Sequence, residues 1–351
     1  MNNGRILVYR LGSLGDTIIA LPALHSIRNS FPKANITILT NKPVTSKAAP
    51  LESILTGTKL FDDIISYPTG TRNPFVIIKL LQELRSRRYD IAINLAAYRS
   101  ELATFRDRIF LAVSGAKNFY GFSFNEKDKF FNSNLFEIEW EALRIARRVE
   151  RIAKVDLYSE DSWDLCLSTE EKREAERHLR HLDANLKPIA LSTGTKLQSN
   201  NWGLNNWKDL SIRLSEKFRN RPALFLGSKD EFIEAEACRN AWLGQSLNLC
   251  GVTSPRVSAA ILKQCELFIG HDSGPMHLAA CVGTICVAVF SARNLPRQWF
   301  PRGENHKIIY HKTDCAGCGL EVCIKQKKKC IMGISVDEVF NAVSEVLNQK
   351  R

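Results

Sequence analysis

Within its first forty residues the chain runs "RILVYR", "LGSLGD", a helix-like stretch from Thr17 to Ser30 and then "NITILT" from Asn35 to Thr40. An apolar strand, a glycine-bearing turn, a helix and a second apolar strand in so short a span form the start of a parallel βαβ unit. The alternation continues through "FDDIISY", a helix over "PFVIIKLLQELRSRRY" and the buried strand "DIAINLA" (Asp90 to Ala96). It weakens between Arg99 and Lys129, a basic and aromatic stretch that reads as loops and short helices facing a ligand.

A helix over Glu139 to Lys154 follows, and Ser168 with Glu171 forms a capping box that opens another. The boundary between two halves is expected near residues 160 to 187. From Pro188 the pattern restarts with "PIALSTG", "NNWKDLSIRLSEKF", "RPALFLGS", "KDEFIEAEACRNAW", "SLNLCG", "SPRVSAAILKQC", "ELFIGHDS", "GPMHLAACVG" and "TICVAVFS". The expected fold class is therefore α/β, with two Rossmann-like, doubly wound parallel-sheet domains facing a central cleft, over residues 1–170 and 187–332. A closing helix over 335–351 carries Val336, Val339, Phe340, Val343, Val346 and Leu347 at helical spacing. It is expected to cross back onto the N-terminal domain.

A length of 351 residues suits two domains. The N-terminus lacks the pattern of a secretory signal, and no apolar run approaches the ~20 residues of a membrane span, so a cytoplasmic protein is expected. Lys and Arg number 49 against 37 Asp and Glu, a net charge of +12. That excess suits a nucleotide diphosphate, a nucleic acid or the acidic face of a membrane, or is simply a basic solvated surface. No RRM or zinc-finger helix is recognisable, so nucleic acid is not expected as a partner.

Ligands of open α/β sheets bind beyond the carboxyl ends of the strands, which is where the motifs fall. After the first strand, Gly12, Ser13 and Gly15 allow close approach of a substrate, and Asp16 is either a helix-capping acid or a carboxylate able to accept a proton. After "PIAL", Thr193, Gly194 and Thr195 with Lys196 read either as a phosphate loop or as an ordinary polar connection. "LGSKDE" places Asp230 and Glu231 where an acid can bind ribose or base. "IGHDSGPMH" is the densest cluster: Asp272, Ser273 and Gly274 precede a helix entered at Pro275, whose free N–H groups suit a diphosphate.

Six of ten cysteines are scattered, mostly through apolar stretches; Cys315, Cys318, Cys323 and Cys330 are spaced C-x2-C-x4-C-x6-C. That spacing suits a compact zinc loop, although the two-pair arrangement is incomplete, and packing thiols are the alternative. No D-x-D motif stands where a metal-bound diphosphate would need one, so neither cofactor nor metal is expected.

In "RLGSLGDTIIALPALHSIRNSFPKANITILT", "LCG", "LFIGHDSGPMHLAACVGTICVAVF" and Trp299 to Pro301, the chain resembles the heptosyltransferases of glycosyltransferase family nine. The resemblance implies a GT-B architecture and metal-independent, inverting transfer from an ADP-activated heptose to an acidic, lipid-linked acceptor of the lipopolysaccharide inner core. It implies an enzyme at the cytoplasmic face of the inner membrane, in peripheral association with anionic lipid. By resemblance Asp16 is the catalytic base, and Gly12, Ser13 and Gly15 line the acceptor side. Thr193, Thr195, Lys196, Glu231, Asp272, Ser273, Gly274, Pro275, Met276 and His277 would hold the nucleotide sugar. One departure is Asn200 and Asn201 before Trp202, where the family usually has lysine, with Gly203 replacing proline; either Lys196 supplies the charge or the loop binds differently. Acidic acceptor groups are expected against Arg99, Arg106, Arg108 and Lys117. Transfer of another nucleotide sugar, or epimerisation of a sugar nucleotide on the same fold, is the alternative activity.

Overall fold

The computed structural model describes residues 4–42, 49–97, 100–122, 138–183 and 185–349. The apolar runs become two separate sheets in which every strand pair is parallel. The chain divides into units Met1–Cys166 and Leu167–Arg351.

In the first unit the described elements are β1 (Arg5–Tyr9), α1 (Leu14–Ser30), β2 (Asn35–Lys42), α2 (Glu52–Leu55), β3 (Asp63–Pro68), α3 (Pro74–Ser86), β4 (Ile91–Asn94), α4 (Glu101–Val113), β5 (Asn118–Tyr120) and α5 (Glu141–Val149). Sheet order is β3-β2-β1-β4-β5, with Val8 of β1 opposite Ile38 on one side and Ile93 on the other. Burial on both faces explains why β1 and β4 read as unbroken apolar runs rather than alternating ones. Helix α1 lies against α5 and the short turn Asp161–Trp163, and most of its circumference is buried.

The second unit contains α6 (Thr169–Leu179), β6 (Ile189–Ser192), α7 (Leu204–Lys217), β7 (Ala223–Phe225), α8 (Phe232–Asn240), β8 (Ser246–Asn248), α9 (Pro255–Leu262), β9 (Leu267–His271), α10 (Gly274–Cys281), β10 (Ile285–Phe290), β11 (Lys307–Tyr310), α11 (Lys329–Met332) and α12 (Val336–Asn348). Its sheet order is β11-β10-β9-β6-β7-β8. Its core gathers Trp202, Trp207, Leu210 and Leu214 around Ile189, Ile269 and Val289.

Two expectations change. The weakly periodic stretch after Arg99 contains a thirteen-residue helix, α4; its pattern is blurred because it carries apolar side chains on the solvent face as well as the inner one. Arg99 and residues 123–137 lie outside the described residues. Helix α6 belongs to the second unit, where Arg256 of α9 donates to Glu171 Oε2 at 3.0 Å. Finally, α12 does not use its apolar face on the N-terminal domain. Val339, Val343, Val346 and Leu347 are buried in the second unit's own core, beside α7 and β10. Burial contributes roughly 1.5–3 kcal/mol per such side chain, and Arg213–Asp337 and Lys307–Glu345 pairs flank the seam.

Among the described residues no helix is long and apolar enough to cross a membrane.

Candidate functional site

Each sheet reverses its winding once, and the connections leaving the two strands at such a point open a crevice beyond their carboxyl ends. In the first sheet the reversal lies between β1 and β4; in the second it lies between β6 and β9. The sequence motifs occupy both places, and each is described within its own unit.

After β1, Gly12 has φ +126°, a conformation only glycine adopts freely, and its N–H donates to Asn41 Oδ1 at 3.0 Å. Ser13 caps α1, and Asp16 is the third residue of that helix. Its Oδ2 accepts the Ser13 N–H at 2.9 Å, so the capping reading of Asp16 holds. A Cβ on Gly12 would stand 2.4 Å from Asp16 Cγ: the glycine makes room for the carboxylate. Asp16 remains 26% exposed, with Oδ1 3.8 Å from Arg10 Nη2. Gly15 is buried in the first turn.

Arg10, which sequence reasoning passed over, is the buried support of this loop. It donates to the carbonyls of Asp16 and Leu95, tying the β1 connection to the β4 connection. Burial pushes its guanidinium pKa down, while Asp16 and Glu141 act in the opposite direction. Beneath it Arg144 and Glu141 form a buried two-point ion pair, Nε to Oε2 at 2.6 Å, and Arg144 and Arg148 both reach the Ala96 carbonyl. The only sequence signal for Arg10 is its place, one residue beyond an apolar strand and at the head of the glycine turn.

In the second unit, Ser192 ends β6 and Thr193 follows it, both with buried hydroxyls that have no hydrogen-bond partner among the described residues. Thr195 is half-buried and Lys196 exposed. Gly194 is spanned by the Glu231 side chain from the β7 connection: a Cβ there would meet Glu231 Oε1 at 2.2 Å, and one on Gly227 would meet Oε2 at 2.6 Å. Glu231 is held by the Ser228 N–H at 2.6 Å. Across the winding reversal, Asp272 Oδ2 accepts from Asn294 Nδ2 at 3.3 Å and Ser273 Oγ donates to the His271 carbonyl at 3.3 Å. Gly274 and Pro275 open α10 and are partly exposed.

Met276 and His277 are buried, so their side chains face the interior. His277 stacks edge-on against Trp299, and burial lowers its pKa to about 4. His271 is likewise internal. Its Nδ1 lies 3.2 Å from the Gly194 carbonyl, while Nε2 faces the Trp202 N–H at 3.1 Å and the Trp207 indole N–H at 3.3 Å. Two donors on Nε2 require a neutral ring protonated at Nδ1, in keeping with a pKa that burial lowers to about 4. This histidine joins the two switch-point connections rather than facing a ligand.

Asn200, standing where lysine is usual, is buried as well. Its Nδ2 donates to the Asp272 carbonyl at 3.1 Å and its Oδ1 accepts from Ser291 Oγ. It braces the Asp272 turn and presents no charge; Lys196 is the exposed cation of the β6 connection.

The four late cysteines lie on a strap running from β11 to α11. Ser199 N–H and Oγ donate to the carbonyls of Glu321 and Leu320, Cys323 N–H donates to Gln198 Oε1 at 2.9 Å, and Lys328 Nζ donates to the Asn201 carbonyl at 2.7 Å. The strap thus fixes the outer edge of the β6 connection, and the Trp202 indole N–H donates to the Ile334 carbonyl at 2.9 Å. Among the described residues no three His, Cys, Asp or Glu side chains come together as a metal-holding group, so Cys315, Cys318, Cys323 and Cys330 do not converge as a zinc loop needs. All four are unpaired.

The chain is 23% identical to lipooligosaccharide heptosyltransferase 2 of Campylobacter jejuni over 350 residues, which is 98% of each chain. Among solved structures it is similar to a glycosyltransferase family 9 protein of Veillonella parvula, with TM-score 0.71 and 17% identity over 99% of this chain and 98% of that one. It is also similar to the E. coli ADP-heptose LPS heptosyltransferase II, with TM-score 0.65 and 16% identity over 99% of both chains. Two parallel α/β sheets are the pair of Rossmann-like domains of a GT-B enzyme. With the model of "Glycosyltransferase family 9 (heptosyltransferase)" matching residues 77–329, well over half the chain, the protein is a glycosyltransferase that belongs to that family.

Proposed function

We propose that this enzyme transfers a heptose from an ADP-activated donor to a saccharide of the lipopolysaccharide inner core, inverting the anomeric centre, at the cytoplasmic face of the inner membrane. The observation that carries the reading is the placement of the two motifs at the winding reversals of their sheets. A partly exposed carboxylate stands at one, and unpartnered hydroxyls, a lysine and a helix start stand at the other.

Asp16 takes the proton from the acceptor hydroxyl as that oxygen attacks the anomeric carbon, with Gly12, Ser13 and Gly15 giving the acceptor close approach. The bond from that carbon to ADP breaks on the opposite face. Negative charge growing on the departing diphosphate is met by the start of α10 at Gly274 and Pro275, by Ser273, by the hydroxyls of Thr193 and Thr195 and by Lys196. Met276 and His277 contribute by shaping that helix from inside. Asp272 orients sugar hydroxyls, and Glu231 stands at the nucleoside.

The C. jejuni relative is named for lipooligosaccharide, and a solved relative of 13% identity is the E. coli heptosyltransferase WaaC with an ADP-2-deoxy-2-fluoro heptose. Both names support the donor and acceptor chosen here. The test is ADP release from a panel of sugar nucleotides with delipidated core saccharide as acceptor. Release with ADP-heptose, lost by orders of magnitude in Asp16→Asn, is expected. Full turnover by Asp16→Asn would remove the base, and release from a different sugar nucleotide alone would overturn the donor.

A further inference from the structure

Helix α4 is apolar on the side that faces away from its sheet. Thr104, Asp107 and Leu111 are its buried residues. Leu102, Phe105, Ile109 and Val113 are 82%, 57%, 48% and 46% exposed. At 100° per residue these four side chains occupy an arc of about 80° on the opposite side. Arg106 and Arg108 flank the stripe on its two edges. The neighbouring helix α3 adds Phe75 and Ile78, 80% and 51% exposed. Between residues 72 and 117 the described surface exposes seven Arg or Lys and two Glu.

We propose that this outward face of α4, with the start of α3, is the surface by which the enzyme seats on an anionic lipid bilayer. An apolar stripe edged by arginines is the pattern of a helix lying in a membrane interface, apolar side chains below the headgroups and cations among them. A second copy of the chain is the poorer occupant, because it would bring the same seven cations against themselves. The stripe is also continuous with the acceptor side. Helix α4 leaves the carboxyl end of β4, which pairs with β1 (Asn94 opposite Tyr9), so its first turn lies at the edge that carries Gly12 to Asp16. An acceptor anchored in the bilayer would arrive beside the base. From the function proposed above the surface takes only that the acceptor is lipid-linked.

The test is co-sedimentation of the full chain with phosphatidylglycerol–phosphatidylethanolamine vesicles and with phosphatidylcholine vesicles. Binding to the first and little to the second is expected. Leu102→Ser/Phe105→Ser/Ile109→Ser should weaken partitioning about a thousandfold, taking about tenfold per apolar side chain withdrawn. Arg72→Gln and Lys79→Gln should each weaken it about fivefold and flatten its salt dependence. Turnover of a delipidated acceptor should stay at the parent level in all of these variants, which also reports that they fold. Failure of the parent to bind anionic vesicles, or undiminished binding by the triple variant, overturns the proposal. So does light scattering that finds a dimer dispersed by the triple variant, which would assign the stripe to a second copy. Stripe-dependent binding with no turnover of any heptose donor would leave the surface standing and sink the proposed heptose transfer.

Discussion

Acidification should loosen the second unit through its two internal histidines. Burial lowers His271 and His277 from an ordinary 6.5 to about 4. In the unfolded chain each takes up a proton near 6.5, whereas in the folded chain each resists until about 4. Between those values the unfolded state binds more protons, so stability falls as pH falls. At roughly 1.4 kcal/mol per pH unit, each histidine withdraws about 3 kcal/mol by pH 4, a large share of a domain's net stability. For His271 the structural reason is explicit: a proton on Nε2 would point at the N–H groups of Trp202 and Trp207. Those indoles lie about the ring and serve as the reporter, so urea midpoints read by tryptophan fluorescence across a pH series test the point. Carboxylates titrate in the same range, so the informative quantity is the difference between parent and variant. His277→Phe, which keeps a ring against Trp299, should remove about one proton's worth of pH slope, and His271→Gln a second. Slopes equal to the parent's in both variants would refute the argument.

Three further outcomes follow from the site geometry. Gly12→Ala places a methyl 2.4 Å from the Asp16 carboxyl carbon at φ +126°; kcat should fall at least tenfold, donor KM should hold, and stability should drop by about 1–3 kcal/mol, read by steady-state kinetics and thermal melts. Gly194→Ala should displace the Glu231 carboxylate, raising donor KM several-fold with a smaller change in kcat. Glu141→Ala strips Arg144 of its buried carboxylate and should cost about 3–5 kcal/mol, whereas a Glu141→Leu/Arg144→Met pair should recover most of it in denaturant melts.

The strands were legible because parallel sheets bury both faces: "RILVY", "IAIN" and "LFIGH" are apolar without a break, and the glycine turns beyond them fall at the winding reversals. The capping box at Ser168 and Glu171 was also legible, being a local hydrogen-bond pattern between residues three apart. What depends on tertiary placement was not. His277 and Met276 read as ligand contacts because sequence does not record burial. Asn200 read as a missing charge, whereas it is a brace between the Asp272 turn and Ser291. The apolar face of α12 announced that it is buried without naming the surface that buries it. Helix α4 lost its periodicity because both of its sides are apolar, and β11 leaves little trace since "KIIY" is short and isolated.

The strap and α12 also set an order of events during synthesis. The first unit has all of its described strands by Tyr120 and its α5 by Val149, so it can fold while the rest of the chain is still being made. The second cannot finish in that way. The connection after β6 emerges at Ser192, yet the partners that fasten its outer edge are Leu320, Glu321, Cys323, Lys328 and Ile334, more than a hundred residues downstream. A ribosome that stalled before Ile334 would release a chain with a finished β1 loop and an unfastened β6 loop. Completion of the message is thereby written into the enzyme as the last fastening of the loop beyond its central strand β6.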